Sequence, residues 1–131
     1  TEAFFDSPEA GWALAAAVMQ RFGVPVIGGR ATTPKRGLRV GILNRVGPKR
    51  PWVNAATFLP QARLRHPELS FEEWTMDNLT LAEQVASIRG HDIIITPHGA
   101  QNSNFAFARP CTVMLELFPP QYFLPMYLDL A

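Results

Sequence analysis

The stretch DIIITPHGAQNSNFAFARP, residues 92–110, decides the fold of this 131-residue chain. Its first part is a run of mostly β-branched residues, which is typical of a buried strand in a parallel sheet. A proline, an imidazole and two small residues follow the strand, as Pro97, His98, Gly99 and Ala100. The segment NSNFAFAR after them predicts a short helix. The stretch therefore predicts a buried strand, a small-residue loop that carries a histidine, and the start of a helix.

Strands and helices alternate on both sides of this stretch. LRVGILNR predicts a buried strand from Leu38 to about Asn44, ELSFEEWT a second strand, and TVMLELF a last one. WVNAATFLPQARL has helical composition, and Pro60 is expected to kink or shorten that helix. TLAEQVASIRG predicts a helix with a capping box of Thr80 and Glu83 that ends at Gly90. The order β-α-β-α-β-α-β indicates an α/β fold, a Rossmann-like parallel sheet with helices on both faces.

The two ends of the chain are expected to lie outside this alternating core. SPEAGWALAAAVMQRFGV predicts a packing helix with Ser7 as its N-cap; its apolar face is Trp12, Ala15, Ala16, Met19 and Phe22. VPVIGGRATTPKRG predicts a short extended piece and a loop, and YFLPMYLDLA a helical tail broken at Pro125. We therefore expect a single domain over residues 1–131, with an N-terminal helix and linker in 1–37 and the core in 38–131. Because the chain begins at Thr1, we expect a fragment of a larger chain.

The composition excludes several functional classes. A formal net charge of +1 gives no strongly basic surface for nucleic acid. Cys111 is the only cysteine, which excludes an internal disulfide and a CxxC metal site. The three histidines lack metal spacing such as HExxH, and no Asp-x-Asp metal motif occurs. We therefore expect no bound metal.

Two loops are the best candidates for a binding site, because ligands bind outside the carboxyl ends of the strands in open parallel sheets. The loop Arg45–Pro51 follows the first core strand and is basic, and the loop Pro97–Ser103 follows the third. In the second loop, Gly99 and Ala100 precede a helix start, where free N–H groups and the helix dipole favour an anion. Guanidinium groups bind phosphate oxygens in a bidentate manner, so the two loops predict a cradle for a diphosphate.

Each of these residues also has a structural interpretation. Arg45, Lys49 and Arg50 have the composition of a solvated loop, and Asn104 is suited to capping or bracing its own loop. A lone histidine after a strand is often a hydrogen-bonded structural imidazole. Glu116 lies inside an apolar strand, where a carboxylate is unfavourable unless it is paired, so we expect a specific partner for it.

The same residues resemble glycosyltransferase family 61. ITPHGAQNSNFAFARPCTVMLELFPP resembles the family signature: a hydrophobic strand, His-Gly-Ala, a short turn, Asn, an apolar helix, Arg-Pro, and a strand that ends in Glu-Leu. Upstream, ILNRVGPKRPWVN is similar to the family's strand followed by Arg, a second Arg and Asn, and LTLAEQVASIRGHD resembles its Glu-Gln-bearing helix. The resemblance covers the chain from about Leu38 to Ala131.

The resemblance implies an inverting glycosyltransferase of the GT-B type, with two Rossmann-like domains, of which this chain would be the C-terminal, donor-binding half. It implies a UDP-sugar donor and a glycan or glycoprotein acceptor. The missing Asp-x-Asp motif fits metal-free chemistry, so we expect no cofactor or metal. By position, the residues around the nucleotide diphosphate would be Arg45, Arg50, His98, Gly99, Ala100 and Asn104, with Asn54 and Glu116 lining or bracing that site. His98 is only a weak candidate for the general base, and a phosphate contact is the role that we favour for it.

The chain departs from the family pattern directly after His-Gly-Ala. Gln101 stands where glycine is commoner, and Asn102 and Ser103 replace the usual Leu-Thr. A side chain at residue 101 calls into question the close approach of a ligand there. The other two departures would affect nucleotide or sugar preference.

The family's members act in the secretory pathway, which implies the lumen of the Golgi or endoplasmic reticulum and membrane attachment only through an anchor outside this segment. The alternative interpretation is a non-catalytic α/β module that binds nucleotide or phosphate. A third is a structural α/β domain that only mediates interactions. Binding of UDP separates the first two from the third, and sugar transfer separates the first from the second.

Overall fold

The structure, a computed structural model, describes residues 7–24, 37–47, 50–124 and 126–127. These residues form an α/β Rossmann-like arrangement with a four-stranded parallel sheet and helices beside it. The predicted order of strands and helices is confirmed. The elements in chain order are α1 Pro8–Arg21, β1 Arg39–Leu43, α2 Ala55–Arg65, β2 Ser70–Trp74, α3 Leu81–Arg89, β3 Ile93–Pro97, a 3-10 helix Ala100–Phe107, and β4 Val113–Leu117.

The strands lie in the order β2-β1-β3-β4, and every pair is parallel. The chain leaves β1 for β2 on one side and then crosses to β3 on the other side, so the order reverses between β1 and β3. Such a reversal opens a crevice outside the carboxyl ends of the two strands. The register pairs Ile42 of β1 with Ile95 of β3, and Thr96 of β3 with Glu116 of β4.

The central strands are apolar on both sides because each face of the sheet is covered. One face packs through Leu43 and Ile94 against Ile88 of α3 and Phe105 of the 3-10 helix. The other face packs through Ile42 against α2. This two-sided burial explains why the sequence of β1 and β3 lacks the alternation of a half-exposed strand.

Two predicted helix starts are confirmed by their hydrogen bonds. The Ser7 hydroxyl accepts from the backbone N–H of Ala10 at 3.2 Å. At α3, Thr80 and Glu83 form the reciprocal capping box, and Gly90 is the C-cap residue. The Thr80 hydrogen bonds hold the pKa of Glu83 below its ordinary value, against a small opposing effect of burial.

The N-terminal helix differs from its prediction in the face that it buries. Ala15 and Met19 are buried, whereas Trp12 and Phe22 are 65% and 52% exposed. The helix packs against the 3-10 helix. That short partner covers only the middle of the predicted apolar face, so periodicity overestimated the extent of the contact.

The other local predictions had mixed outcomes. Pro60 lies inside α2, which runs for 11 residues, so the proline did not shorten it. The helix expected at NSNFAFAR is a 3-10 helix that begins earlier, at Ala100. Residues 122–124 and 126–127 carry no helix, and the rest of the predicted helical tail lies outside the described residues, as does most of the linker, 25–36. Within the described ranges, no helix has both the length and the hydropathy that a membrane span requires.

Candidate functional site

The loops after β1 and β3 meet at the crevice where the strand order reverses. The guanidinium Nη1 of Arg45 donates a hydrogen bond to the backbone carbonyl of His98 at 3.1 Å. A Cβ atom at Gly99 would contact the same guanidinium and would lie 2.8 Å from its Cζ. The glycine is therefore needed because the arginine lies directly over its backbone, which has ordinary extended geometry.

Asn44 closes the loop that carries Arg45. Its Oδ1 accepts hydrogen bonds from the backbone N–H groups of Arg45 and Trp52, both at 2.9 Å. Its Nδ2 donates to the carbonyl of Trp52 at 3.2 Å and to the carboxylate of Glu73 at 2.7 Å. These bonds join the two ends of the loop and fix the direction in which Arg45 leaves β1.

Arg50 reaches the same region through an aromatic ring. Its guanidinium carbon lies 5.4 Å from the centroid of the Tyr122 ring, in cation–π contact. The Tyr122 ring in turn lies 5.4 Å from the ring of His98. The structure thus brings both predicted arginines beside the histidine loop, while Lys49 lies outside the described residues.

The imidazole of His98 is buried rather than open to solvent. Its side chain is 4% exposed and packs against the rings of Phe118, Tyr122 and Tyr127. Its Nδ1 lies 2.7 Å from Oε1 of Glu116, whose side chain is 6% exposed. In this conformation His98 offers its carbonyl to Arg45 and its ring to Glu116, and a direct contact between the imidazole and phosphate stays a prediction.

Glu116 has the specific partners that its position in an apolar strand required. Besides His98, Asn102 donates from Nδ2 to the same oxygen, Oε1, at 2.8 Å. The other carboxylate oxygen, Oε2, is buried and has no hydrogen bond within the described residues. Two donors on one oxygen hold the carboxylate in a single orientation.

A chain of side-chain hydrogen bonds continues from Asn102 to the end of β1. The Thr96 hydroxyl donates to Oδ1 of Asn102 at 3.0 Å and accepts from Nε2 of Gln101 at 3.0 Å. The same Nε2 lies 3.3 Å from the carbonyl of Leu43. The side chain of Gln101 therefore lies along the sheet, so it does not extend over the loop where it was expected to hinder a ligand.

The remaining predicted site residues are less central. Ala100 is exposed and begins the 3-10 helix, and Asn54 is exposed at the N-cap of α2, where its side chain makes no capping hydrogen bond. Asn104 donates from Nδ2 to Oε1 of Gln84 on α3 at 2.9 Å. This contact is the bracing role that the sequence offered for Asn104 as the alternative to donor binding. Donor binding by Asn104 stays a prediction.

Two arginines, Arg45 and Arg50, contribute positive charge to this region. Among the described residues, no Asp or Glu oxygen lies within salt-bridge distance of Arg45 or Arg50. Burial raises the pKa of Tyr127 above its ordinary value, and the negative charge of Glu116 adds to this while the charge of Arg45 opposes it. The phenol is therefore neutral at pH 7 and leaves the local charge to the arginines and to Glu116.

The sequence model of the glycosyltransferase 61 family matches residues 8–115 of this chain. The chain belongs to the glycosyltransferase 61 family. The match includes both loops at the crevice and extends upstream of Leu38, where the resemblance in the sequence began, to the start of α1. A comparison with curated proteins found no match. Glycosyltransferase function is thus supported by a match over most of the chain.

Sequence reasoning missed several residues that hold the two loops at the crevice. Asn44 acts through side-chain hydrogen bonds, and Tyr122 and Tyr127 act through ring contacts with His98. Gln101 was noted as a departure from the family pattern, but its hydrogen bond to Thr96 was not expected. Asn44 carried a usable signal, since an asparagine directly after a strand is typical of a side chain that bonds its own loop. The tyrosines carried none, because their approach depends on how the chain turns after β4.

Proposed function

We propose that this domain binds the nucleotide-sugar donor of an inverting, metal-independent glycosyltransferase, with a UDP-sugar as donor. Support comes from membership of the glycosyltransferase 61 family together with the crevice between β1 and β3. The proposed role makes the domain one half of a GT-B enzyme, whose acceptor site and general base come from a second domain.

The observation that carries the proposal is the contact of Arg45 with the loop of the opposite strand. A guanidinium bonded to the His98 carbonyl, directly over Gly99, places a fixed positive charge at the start of the 3-10 helix. Among the described residues, the Arg45 guanidinium donates one hydrogen bond, which is the bond to the His98 carbonyl. A guanidinium carries further N–H donors in a planar fork, which is the arrangement that binds two oxygens of a diphosphate.

In the proposed reaction, the acceptor hydroxyl loses its proton to a general base and forms a bond to the anomeric carbon of the sugar. The bond from that carbon to the diphosphate oxygen breaks, and UDP leaves with the bonding electrons. Arg45 and Arg50 stabilise the negative charge that grows on the leaving diphosphate. No step in this chain is assigned to His98 as base, because its imidazole is enclosed and bonded to Glu116.

The partners and location that we propose follow from the family. The donor is a nucleotide-sugar, the acceptor is a glycan or glycoprotein, and nucleic acid is not a partner. The site of action is the lumen of the Golgi or endoplasmic reticulum, with any membrane attachment through an anchor outside this segment. Within the described ranges, no group of three or more His, Cys, Asp and Glu side chains could hold a metal ion. Titration with and without added manganese tests metal independence.

Isothermal titration calorimetry of this chain with UDP, first in chelator and then with manganese added, tests the proposal. We expect binding of modest affinity that is the same in both buffers, and no sugar transfer by this domain alone. Adenosine diphosphate is the control for base preference. Binding that requires manganese would overturn metal independence, and absence of UDP binding in both buffers would overturn the donor role. Equal binding of inorganic diphosphate and UDP would favour the alternative, a phosphate-binding module.

A further inference from the structure

We propose that three positioning residues, Gln101, Thr96 and Asn102, hold the loop Pro97–Ser103 against the end of β1. We call this loop the diphosphate loop. The inference rests on the proposed function and deepens it, because it concerns the same crevice. None of the three is assigned to touch the donor. They act through Leu43, Glu116 and the backbone of the loop.

The side-chain amide of Gln101 lies between the ends of β1 and β3. Its Nε2 lies 3.0 Å from the Thr96 hydroxyl on β3 and 3.3 Å from the Leu43 carbonyl, which ends β1. One amide group therefore joins the carboxyl ends of the two strands that border the crevice. Because the loop residue that carries this amide follows Gly99 and Ala100 directly, the bond also restricts the turn itself.

The hydrogen bonds that link Thr96, Asn102 and Glu116 are buried and continuous. Thr96 and Asn102 are 1% and 2% exposed. The Thr96 hydroxyl uses its proton toward Oδ1 of Asn102, so Nδ2 of the same amide faces Glu116 and donates to Oε1. Buried hydrogen bonds of this kind are hard to replace with water, so the orientation of each amide is fixed by the next group.

The same hydrogen bonds continue through His98 to Arg45. His98, which bonds the same carboxylate oxygen, offers its carbonyl to Arg45. The chain of bonds therefore begins at the end of β1 and returns, through Glu116 and His98, to the arginine that leaves β1. A site whose groups are held by a second layer of hydrogen bonds binds with less loss of conformational freedom. Breaking the layer should weaken diphosphate binding without removing any group that meets the ligand.

The decisive comparison is Thr96→Val against Thr96→Ser in this chain. Valine has the shape of threonine without its hydroxyl, whereas serine retains the hydroxyl. We expect Thr96→Val to raise the Kd for UDP by about fivefold or more, since a hydrogen bond contributes roughly 1 kcal/mol. Thr96→Ser should bind UDP with a Kd close to that of the wild type. Gln101→Ala is the second variant, and it should raise the Kd by a similar factor.

The measurement that separates positioning from stability is the ratio of UDP to UMP affinity, recorded with the melting temperature. A misplaced diphosphate loop should lower the ratio, because UMP lacks the second phosphate. Asp92→Asn at the amino end of the sheet is the control, and it should lower the melting temperature while leaving the ratio unchanged. If Thr96→Val and Gln101→Ala lower only the melting temperature, the positioning role is wrong. If the wild type binds no UDP, the proposed function itself fails.

Discussion

The two ends of the sheet use arginine in different ways. At the amino end, Arg39 lies 3.4 Å from a carboxylate oxygen of Glu72, and Arg109 lies 2.8 Å from one of Asp92. At the carboxyl end, Arg45 bonds a backbone carbonyl and Arg50 lies over an aromatic ring. Among the described residues, neither of these two has a carboxylate partner within salt-bridge distance.

Both buried histidines lie near a carboxylate, since Nε2 of His91 is 3.5 Å from Glu72 and Nδ1 of His98 is 2.7 Å from Glu116, so the difference concerns the arginines alone. His91, at the amino end, has its Nδ1 2.8 Å from the carbonyl of Ser87, so Nδ1 must donate, and its ring stacks on Trp74. His98, at the carboxyl end, is held by a buried carboxylate. Within the part of the chain that the structure describes, Arg39 and Arg109 at the amino end are thus paired with carboxylates, whereas Arg45 and Arg50 at the carboxyl end are not. This difference supports the proposed binding of an anionic donor at the carboxyl end.

The largest effect is expected from Gly99→Val, which would remove the contact that distinguishes the carboxyl end. The new side chain would displace the Arg45 guanidinium, because even a Cβ atom has no room there. We expect UDP binding to fall below detection in calorimetry, with a loss of stability of about 1–3 kcal/mol from overpacking. Gly99→Ala should show a smaller loss of affinity. Wild-type affinity in the valine variant would show that the arginine need not lie over this glycine.

The next effect is expected from Arg45→Ala with Arg39→Ala as its matched control. Loss of a charge-assisted contact of about 1.5–3 kcal/mol should raise the Kd for UDP at least about tenfold. Arg39→Ala removes an equal charge at the amino end and should leave the Kd unchanged. Arg50→Ala should have a smaller effect than Arg45→Ala because Arg50 is exposed. Equal losses from Arg39→Ala and Arg45→Ala would mean that net charge matters and position does not.

Asp92→Asn should affect stability only, and in a pH-dependent way. Burial raises the pKa of Asp92, but the hydrogen bonds from Arg39 and Arg109, with their charges, lower it by more, so the net pKa is below its ordinary value. The carboxylate therefore stabilises the fold fully above about pH 4 and loses this effect as the pH falls through its folded pKa.

Thermal melting of Asp92→Asn should show a loss of about 1 kcal/mol at pH 7 that narrows toward pH 3. UDP affinity should equal that of the wild type. A loss of stability that stays constant on acidification would show that the charge of Asp92 does not contribute.

The smallest effect is expected from Thr80→Ala, which removes the capping box of α3. Thr80 belongs to neither of the two arginine groups compared above. The helix loses the bond between the Thr80 hydroxyl and the Glu83 N–H, which contributes about 1 kcal/mol. Differential scanning calorimetry should show a decrease in melting temperature of about 4 °C. Thr80→Ser retains the hydroxyl and should melt near the wild type. Identical melting of the alanine and serine variants would exclude a contribution from the cap.

The amino-acid sequence by itself determined the four strands, the helices α1 to α3 and the position of the crevice. Continuous apolar runs such as IIIT and GIL require burial on both faces, and the capping box and glycine stops depend on neighbouring residues only. Because the strands are parallel, the loops of Arg45 and His98 must both lie at the carboxyl end of the sheet. These features are local, or follow from chain connectivity, so periodicity and motif spacing were sufficient to predict them.

The tertiary structure alone decided how the site residues are used. His98 proved to be enclosed by Phe118, Tyr122 and Tyr127, which come from chain after β4, and Gln101 turned toward Leu43. The exposure of Trp12 likewise depended on how short the partner of α1 is. Such contacts join residues that are distant in sequence, and their hydrogen-bond directions depend on packing, for which residue type and spacing contain no signal.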